Sequence, residues 1–484
     1  MQRSARGRVA ALAAPAALLA LLAALVIGAA VWHRPLLTAT GLWVDGGQPT
    51  VSPTFFDGPS ATPSQESGSD VIGAATPAPD GKPPTSHGLA AAIAGVEAKG
   101  LGTTSGIVIE AATGRVLWSR APQRPQIPAS TLKILTSVAA LDALGPEHRF
   151  TTRTVNTAPG SVVLVGGGDP YLTSRPAKAY PHAPSSATLA RQTADALKKQ
   201  GTTSITLGYD DSLFTGPAWH PSWPDGYHDQ VTTISALWLD QGRPEPVDPT
   251  GKTPPKPPSR TPAATAAQQF AAQLRGHGIT VAKQHKAIRT DAKATDPKAT
   301  ELARLESLPV RTLVQETLLH SDNSAAEVLL RQVGIATGNG GSFAGGAKGV
   351  QQSLTKLDAW TAGSRMVDGS GLSRSNLVSA DVLGGVLAAS STTARLRPVM
   401  EAMPAAGVSG TLANRFYTPE AAAGRGWVNA KTGTLTKVAT LAGHTRTRSG
   451  DEVVFALMAN NQTEEWGART WLDSVATTIT SCGC

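Results

Sequence analysis

The sequence predicts an α/β (α+β) protein whose sheet domain is split by a large insertion. Two blocks carry that prediction. A β-prone hairpin followed by a helix stands at about residues 106–144, and strands followed by a helix close the chain at about residues 434–479. A long mixed stretch separates them, so the first and last blocks are expected to complete one sheet that the middle interrupts.

The elements follow in order. Arg3, Arg6 and Arg8 precede an uncharged, mostly apolar run from Val9 to Trp32. The run exceeds a typical signal core of ~15 residues and is about long enough to span a bilayer. The leading arginines favour a cytoplasmic N-terminus and export of the remainder. Residues 1–32 are therefore expected to be a signal peptide or an N-terminal membrane anchor, with Gly28-Ala29-Ala30 offering small residues for cleavage. Residues 33–87, rich in Pro, Ser, Thr and Gly, read as a disordered linker.

Beyond the linker, Gly106–Glu110 and Arg115–Ser119 read as a hairpin. Pro128-Ala129-Ser130 opens a helix with Ile134, Leu135, Val138, Leu141 and Leu144 on its apolar stripe, ending before Gly145-Pro146. Ser161–Val165 and Thr203–Leu207 are expected strands, and Ala264–Gly276 an expected helix. Between them Pro254-Pro255-Lys256-Pro257-Pro258 excludes helix or interior strand and marks a surface loop or internal boundary. Two helical stripes, Val310 to Leu318 and Ala326 to Val333, flank Ser321-Asp322-Asn323. Thr434–Gly443 and Glu452–Ala459 are strand-like, and Ala468, Leu472, Val475 and Ile479 give a closing helix.

Composition narrows the functional class. Charged residues are only 16% and aromatics 5%, while Gly (49) and Pro (35) stay below the low-complexity range, which excludes wholesale disorder and coiled coil. The net charge of +8 is scattered, without a Lys/Arg block, so no nucleic-acid partner is expected. A polyanionic envelope surface is compatible with it. Cys482 and Cys484 are the only cysteines. They exclude a four-cysteine metal site and a disulfide framework, and read as tail residues without structural duty. No metal or cofactor is expected.

Three short motifs carry chemistry: Ser130-Thr131-Leu132-Lys133, Ser321-Asp322-Asn323 and Lys431-Thr432-Gly433. A serine at a helix N-terminus has free N–H groups nearby for a developing oxyanion. Lys133, three residues on, shares its helical face. That amine can take the hydroxyl proton only when neutral, and burial together with a second cation, Lys431, would lower its pKa. Ser321 can relay a proton to a leaving amine, and Asn323 can hold a substrate amide. Lys431–Thr434 reads as an edge strand for an extended peptide, with Gly433 permitting close approach and the hydroxyls of Thr432 and Thr434 gripping a carboxylate. Each motif alone is commonplace; the three in this order form a Ser-x-x-Lys acyltransferase set.

These residues resemble the low-molecular-mass class C penicillin-binding proteins, the peptidase S13 family of D-alanyl-D-alanine carboxypeptidase/endopeptidases. Val165-Gly166-Gly167-Gly168-Asp169-Pro170, Asp368-Gly369-Ser370-Gly371-Leu372-Ser373-Arg374 and Gly410-Thr411-Leu412 are similar to further family motifs. The resemblance implies a β-lactamase/transpeptidase-like catalytic domain over 88–150 and 306–484, interrupted by a mostly β insertion over 151–305. It implies that Ser130 is acylated, that Lys133 is its base, and that the N–H groups of Ser130 and Thr434 form the oxyanion hole. Arg374 would lie beside the pocket, and Asp225 would meet the amino end of the peptide's diamino-acid side chain. The implied partners are peptidoglycan stem peptides ending in D-Ala-D-Ala, with β-lactams as inhibitors, in the envelope outside the cytoplasmic membrane.

Two other functions fit parts of the pattern. A β-lactamase would need a deacylating base, and no Glu-x-x-Leu-Asn segment stands between Asn323 and Lys431. A non-catalytic penicillin-binding envelope module would not need Ser130, Lys133, Ser321, Asn323 and Lys431 all present. Plainer roles are expected for His320, which lacks partners at ligand spacing, for Trp219, Trp223 and Trp238 as packing residues, and for Asp169 as a turn residue. The Asp368–Arg374 segment is expected to be a loop at the rim of the site.

Overall fold

The computed structural model describes residues 84–96, 99–176, 182–243, 257–282 and 299–484. The expected leader and most of the linker lie outside these residues, as does much of the proline-rich loop. Two five-stranded sheets organise the chain.

The first sheet joins the two ends of the folded region, as the sequence predicts. Its order is β2 (Val116–Arg120), β1 (Thr103–Glu110), β10 (Glu452–Asn460), β9 (Val438–Arg446), β8 (Asn429–Leu435). Every pairing in it is antiparallel. The expected strand Thr434–Gly443 is in fact two strands, broken at Thr436-Lys437, where Lys437 adopts φ +61° and turns the chain back.

Strand side chains alternate between faces, and both faces of this sheet are dry. Val454, Ala456 and Met458 of β10 join Ile107 and Ile109 of β1 in a core with helices α2 (Leu132–Leu144), α5 (Val310–Leu319), α6 (Asn323–Ala336), α7 (Phe343–Lys356) and α8 (Ala380–Thr392). Val453, Phe455 and Leu457 face the other way, onto Leu89 and Ile93 of α1 (Ser86–Ala94) and Trp471, Leu472 and Val475 of α10 (Glu465–Ser481). A short helix, α9 (Pro398–Glu401), precedes β8.

The second sheet has the order β6 (Thr280–Val281), β5 (Ser204–Asp210), β4 (Ser161–Val165), β3 (Thr151–Ala158), β7 (Thr300–Glu306). It spans the expected insertion and runs one residue past it, to Glu306. That segment was expected to be mostly β, yet two helices of 14 and 15 residues, α3 (Ser186–Lys199) and α4 (Pro262–Gly276), match its strands in extent. They are needed because β4–β5 and β5–β6 both run parallel, and each such pair requires a crossover; α3 supplies the first, burying Leu189, Ala194 and Leu197 on Val162, Leu164, Ile205 and Leu207, and α4 lies in the second.

The cysteine expectation is corrected. Cys482 and Cys484 form a disulfide at the end of α10. Cys482 is buried in the core beneath the first sheet, and the Cys484 carbonyl accepts from the Thr85 N–H at 2.6 Å. The tail therefore ties the two termini of the described fold together.

Candidate active site

Ser130 stands in a tight 3-10 turn, Ala129–Thr131, that runs directly into α2. Ala129 just before it adopts φ +47°, a left-handed conformation that costs a non-glycine residue on the order of 1–3 kcal/mol. Surrounding bonds enforce it. The Pro128 carbonyl accepts from the Thr131 hydroxyl at 2.7 Å and from the Thr440 hydroxyl of β9 at 2.8 Å. The Ser130 turn is thereby fastened to the sheet.

Lys133 begins the next turn, fully buried. Its Nζ donates to Ser130 Oγ at 2.9 Å, Asn323 Oδ1 at 2.7 Å and the Ser370 carbonyl at 2.7 Å. Three acceptors occupy its three N–H bonds, so the ammonium has one fixed place. Asn323 is presented by α6, whose N-cap is Asp322: its carboxylate accepts the Ala325 N–H at 2.9 Å and makes Asn323 the first helical residue. The other end of the Asn323 amide donates to the Gln230 carbonyl at 2.9 Å. Ser321 precedes the cap at φ +57°, in the turn between α5 and α6.

Burial lowers the Lys133 pKa to about 8, against the opposing pull of Glu327, Asp368 and Asp322. Lys431, also fully buried, is lowered well below its ordinary value, first by burial and then by the charge of Lys133. The carboxylates near Lys133 oppose the effect of burial there, whereas at Lys431 burial and the neighbouring cation act in the same direction. Lys431 Nζ donates to the Thr432 carbonyl at 2.8 Å.

β8 is an edge strand, as predicted, with Lys431 facing inward. Gly433 pairs with Thr440 across the ladder, and a Cβ there would lie 2.2 Å from Thr440 Oγ1 and 2.7 Å from the Pro128 carbonyl. The missing side chain leaves room for the chain's own Thr440–Pro128 bond, a packing reason the sequence did not suggest. Thr432 Oγ1 donates to Thr411 Oγ1 at 3.0 Å, which brings the Gly410-Thr411-Leu412 turn to the edge strand. Thr434 is exposed.

The Asp368–Arg374 segment lies beneath the site rather than at its rim. Asp368, Ser370 and Ser373 are fully buried. Asp368 organises the loop, accepting from the N–H groups of Gly371 (3.0 Å) and Ser373 (2.6 Å), the Asn376 amide (2.7 Å) and the Trp223 indole (2.8 Å). Gly371 sits at φ +87°, against the Ala129 carbonyl. Only Arg374 reaches the surface, donating to the Thr436 carbonyl at 3.0 Å beyond the end of β8.

The remaining predicted residues fall as follows. Asp225 begins an exposed 3-10 turn, Asp225–Asp229, that is held at both ends: Trp223 bonds Asp368, and Gln230 meets Asn323. Trp223 and Trp238 are buried packing residues, and Trp219 is partly buried against the same core. Asp169 is buried, raised to about 7 by its burial, and accepts the Tyr171 N–H at 2.9 Å as a turn residue does. His320 has one carboxylate near it, Glu316 at 3.4 Å. Sequence reasoning missed Glu327, buried one turn after Asn323 on α6; its spacing of four from Asn323 and its place in an apolar stripe were the available signals.

A half-exposed serine bonded to a buried Ser-x-x-Lys lysine, faced by Ser-x-Asn and flanked by a Lys-Thr-Gly edge strand, defines an active-site-serine enzyme of the penicillin-binding type. The model of the D-Ala-D-Ala carboxypeptidase 3 (S13) family matches residues 89–253 and 248–480. Carboxypeptidase DacB of Mycolicibacterium smegmatis is 34% identical over 83% of this chain and 85% of the relative. Carboxypeptidase Rv3627c of Mycobacterium tuberculosis is 35% identical over the same shares. Among solved structures, penicillin binding protein 4 (dacB) of Haemophilus influenzae shares the fold at TM-score 0.64 and 22% identity, covering 81% of this chain and 97% of that one. The same protein has been solved with a β-lactam. This chain belongs to the D-Ala-D-Ala carboxypeptidase 3 (S13) family, and is a serine-type carboxypeptidase of peptidoglycan.

Proposed function

We propose that Ser130 is the acylated residue of this carboxypeptidase and Lys133 its general base. The observation that carries the assignment is the single place of the Lys133 amine, bonded at once to Ser130 Oγ and Asn323 Oδ1 in a dry interior. As Ser130 Oγ attacks the penultimate D-Ala carbonyl, its proton passes to Lys133, and the carbonyl oxygen gathers charge between the N–H groups of Ser130 and Thr434. The C–N bond to the terminal D-Ala then breaks, and Ser321 relays the proton to the departing amine. Water hydrolyses the ester by the reverse route. Cleavage of a cross-link, the endopeptidase reaction, is the same chemistry with a larger amine leaving. A β-lactam acylates Ser130 likewise, but its amine stays tethered, so the adduct persists.

Peptidoglycan lies in the cell envelope, and we place the protein there. The apolar run at 9–32 supports attachment to the membrane; among the described residues no helix is long and apolar enough to cross one. The two sheets support a catalytic domain over 88–150 and 306–484 with 151–305 as an inserted accessory domain. Thr432 and Thr434 on the edge strand, with Arg374 beyond its end, suit a substrate C-terminal carboxylate. Asp225, on the exposed turn that ends beside Asn323 through Gln230, suits the free amine of a diamino acid.

Intact mass after mixing with benzylpenicillin tests the assignment. A lasting adduct on Ser130, lost together with D-Ala release in Ser130→Ala, is expected. D-Ala release that survives the substitution would refute it. Drug consumed without an adduct would mean a β-lactamase, and neither event a non-catalytic module. Asp225→Ala should weaken only substrates carrying the free side-chain amine, measured as kcat/KM on matched peptides with and without it; equal loss on both removes the proposed role.

A further inference from the structure

Glu327 is a buried carboxyl that the reaction as described leaves unused. It projects from α6 one turn beyond Asn323 and is wholly inaccessible to solvent. Its two oxygens divide two backbone donors of the Asp368 loop: Oε2 accepts from Gly369 N–H at 2.9 Å and Oε1 from Ser370 N–H at 2.7 Å. The Ser370 hydroxyl is a third donor to it. Ser370 turns its own carbonyl the other way, onto Lys133 Nζ at 2.7 Å. One residue therefore links carboxyl to ammonium, its N–H on the first and its C=O on the second. The neighbouring carbonyl, Gly369, is fixed by the Thr136 hydroxyl of α2 at 2.8 Å, so the whole segment is locked between α2 and α6.

We propose that Glu327 is the positioning residue that sets both the place and the charge state of Lys133, acting through Ser370. The proposal rests on the reading of Ser130 and Lys133 as nucleophile and base. A carboxylate is the group that can accept both N–H donors at once; an amide would present one oxygen and one NH2, and the NH2 would push one N–H away. Other charged groups share this interior: Lys133 of α2, Asp368 of the loop, Asp322 and Arg331 of α6, and Lys431 of β8, which meets the field of Lys133. Among the carboxylates that help Lys133 keep its proton, Glu327 has the largest effect. Burial and the charge of Asp368 push the Glu327 carboxyl itself up to about 8, while the hydrogen bonds from Ser370 and Gly369 favour its charged form. Through Asn323 and Glu327, α6 thus holds Lys133 twice, once directly and once by way of the loop.

The test is the pH profile of the second-order rate constant for acylation of the full-length protein by benzylpenicillin, followed by intact mass, for the parent, Glu327→Gln and Glu327→Asp. Removing the negative charge makes the Lys133 cation less favourable. The acid limb of the Glu327→Gln profile should therefore move to lower pH, by about half a unit or more. Its plateau should fall, on the order of 10- to 100-fold, because the Ser370 carbonyl is no longer held in place. Glu327→Asp keeps the charge but shortens the reach, so its plateau should fall while its limb stays closer to the parent's. A Glu327→Gln limb that coincides with the parent's, whatever its plateau, overturns the proposal, because a purely structural carboxyl would lower the rate without moving the limb. If Glu327→Gln does not fold, Glu327→Asp decides: a parent-like plateau would show that two-oxygen placement is dispensable and overturn the proposal equally. A parent that is never acylated on Ser130 would instead defeat the nucleophile assignment, so the two failures are distinct.

Discussion

Gly371→Ala is the substitution for which the structure gives the most explicit forecast. The residue occupies φ +87°, where an alanine costs on the order of 1–3 kcal/mol. Its new Cβ would stand 1.9 Å from the Ala129 carbonyl oxygen and 2.5 Å from its carbon, where ordinary contact begins at 3.4 Å. Relief requires a movement of about 1.5 Å, and overpacking of this kind costs a further ~1–3 kcal/mol. Both partners are backbone, so neither can swing aside. The loop side is held by Asp368 and Glu327, whereas the other side is the strained turn that aims Ser130. The displacement therefore reaches Ser130. A shift of ~1 Å at a reacting group costs on the order of 100-fold in rate. Acylation by benzylpenicillin, timed by intact mass, should fall by about that factor, and the melting temperature should drop by several degrees at a total cost of ~2–6 kcal/mol. Gly114→Ala is the control. Gly114 has φ +72° but no atom within 4 Å of its would-be Cβ, so the variant should lose some stability and keep its acylation rate. Parent-like acylation and melting in Gly371→Ala would refute the argument that this contact aims Ser130.

Two further outcomes follow from the buried charges. Lys133 is lowered to about 8 by burial and acts only when neutral, so the acylation rate of the parent should rise with pH through about 8 and level off above it; a profile flat from pH 6 to 9 would contradict the base assignment. Arg331, buried on α6, donates to the carbonyls of Thr215 (2.8 Å), Gly341 (3.0 Å) and Pro217 (2.6 Å). Arg331→Met leaves all three without that donor and should destabilise by ~3 kcal/mol or more, read by denaturant unfolding, with the Ser130 adduct still forming in the folded fraction.

Much of this protein was legible in one dimension. Helix and strand periodicity marked the hairpin at β1–β2, the stripe of α2 and the closing helix, because local propensity and a one-sided apolar face suffice to declare such elements. The candidate catalytic set was legible for a similar reason. Ser130 and Lys133 lie three apart on one helix, and Ser321 and Asn323 lie on one turn, so each pair is local, and only the order of the motifs had to be read. The split sheet followed from where the strands begin and end.

Contacts between segments remote in sequence were settled only by folding. Ser130 and Ser321 stand 191 residues apart, and nothing in either segment says that Lys133 and Asn323 meet at 2.7 Å. The Asp368 loop reads as a polar, glycine-rich rim, yet it is buried, because its polar groups are satisfied by Glu327, Asn376, Trp223 and Thr136 rather than by water. Gly433 reads as room for a substrate, and its space is used by Thr440 and Pro128. How firmly Lys133 holds its proton depends on carboxylates brought to it from α6 and the Asp368 loop. The sequence by itself determined which residues are the candidates for the chemistry, since their types and local spacings are one-dimensional facts. The tertiary structure decided their protonation and their aim, since both depend on burial and on partners brought together from distant parts of the chain.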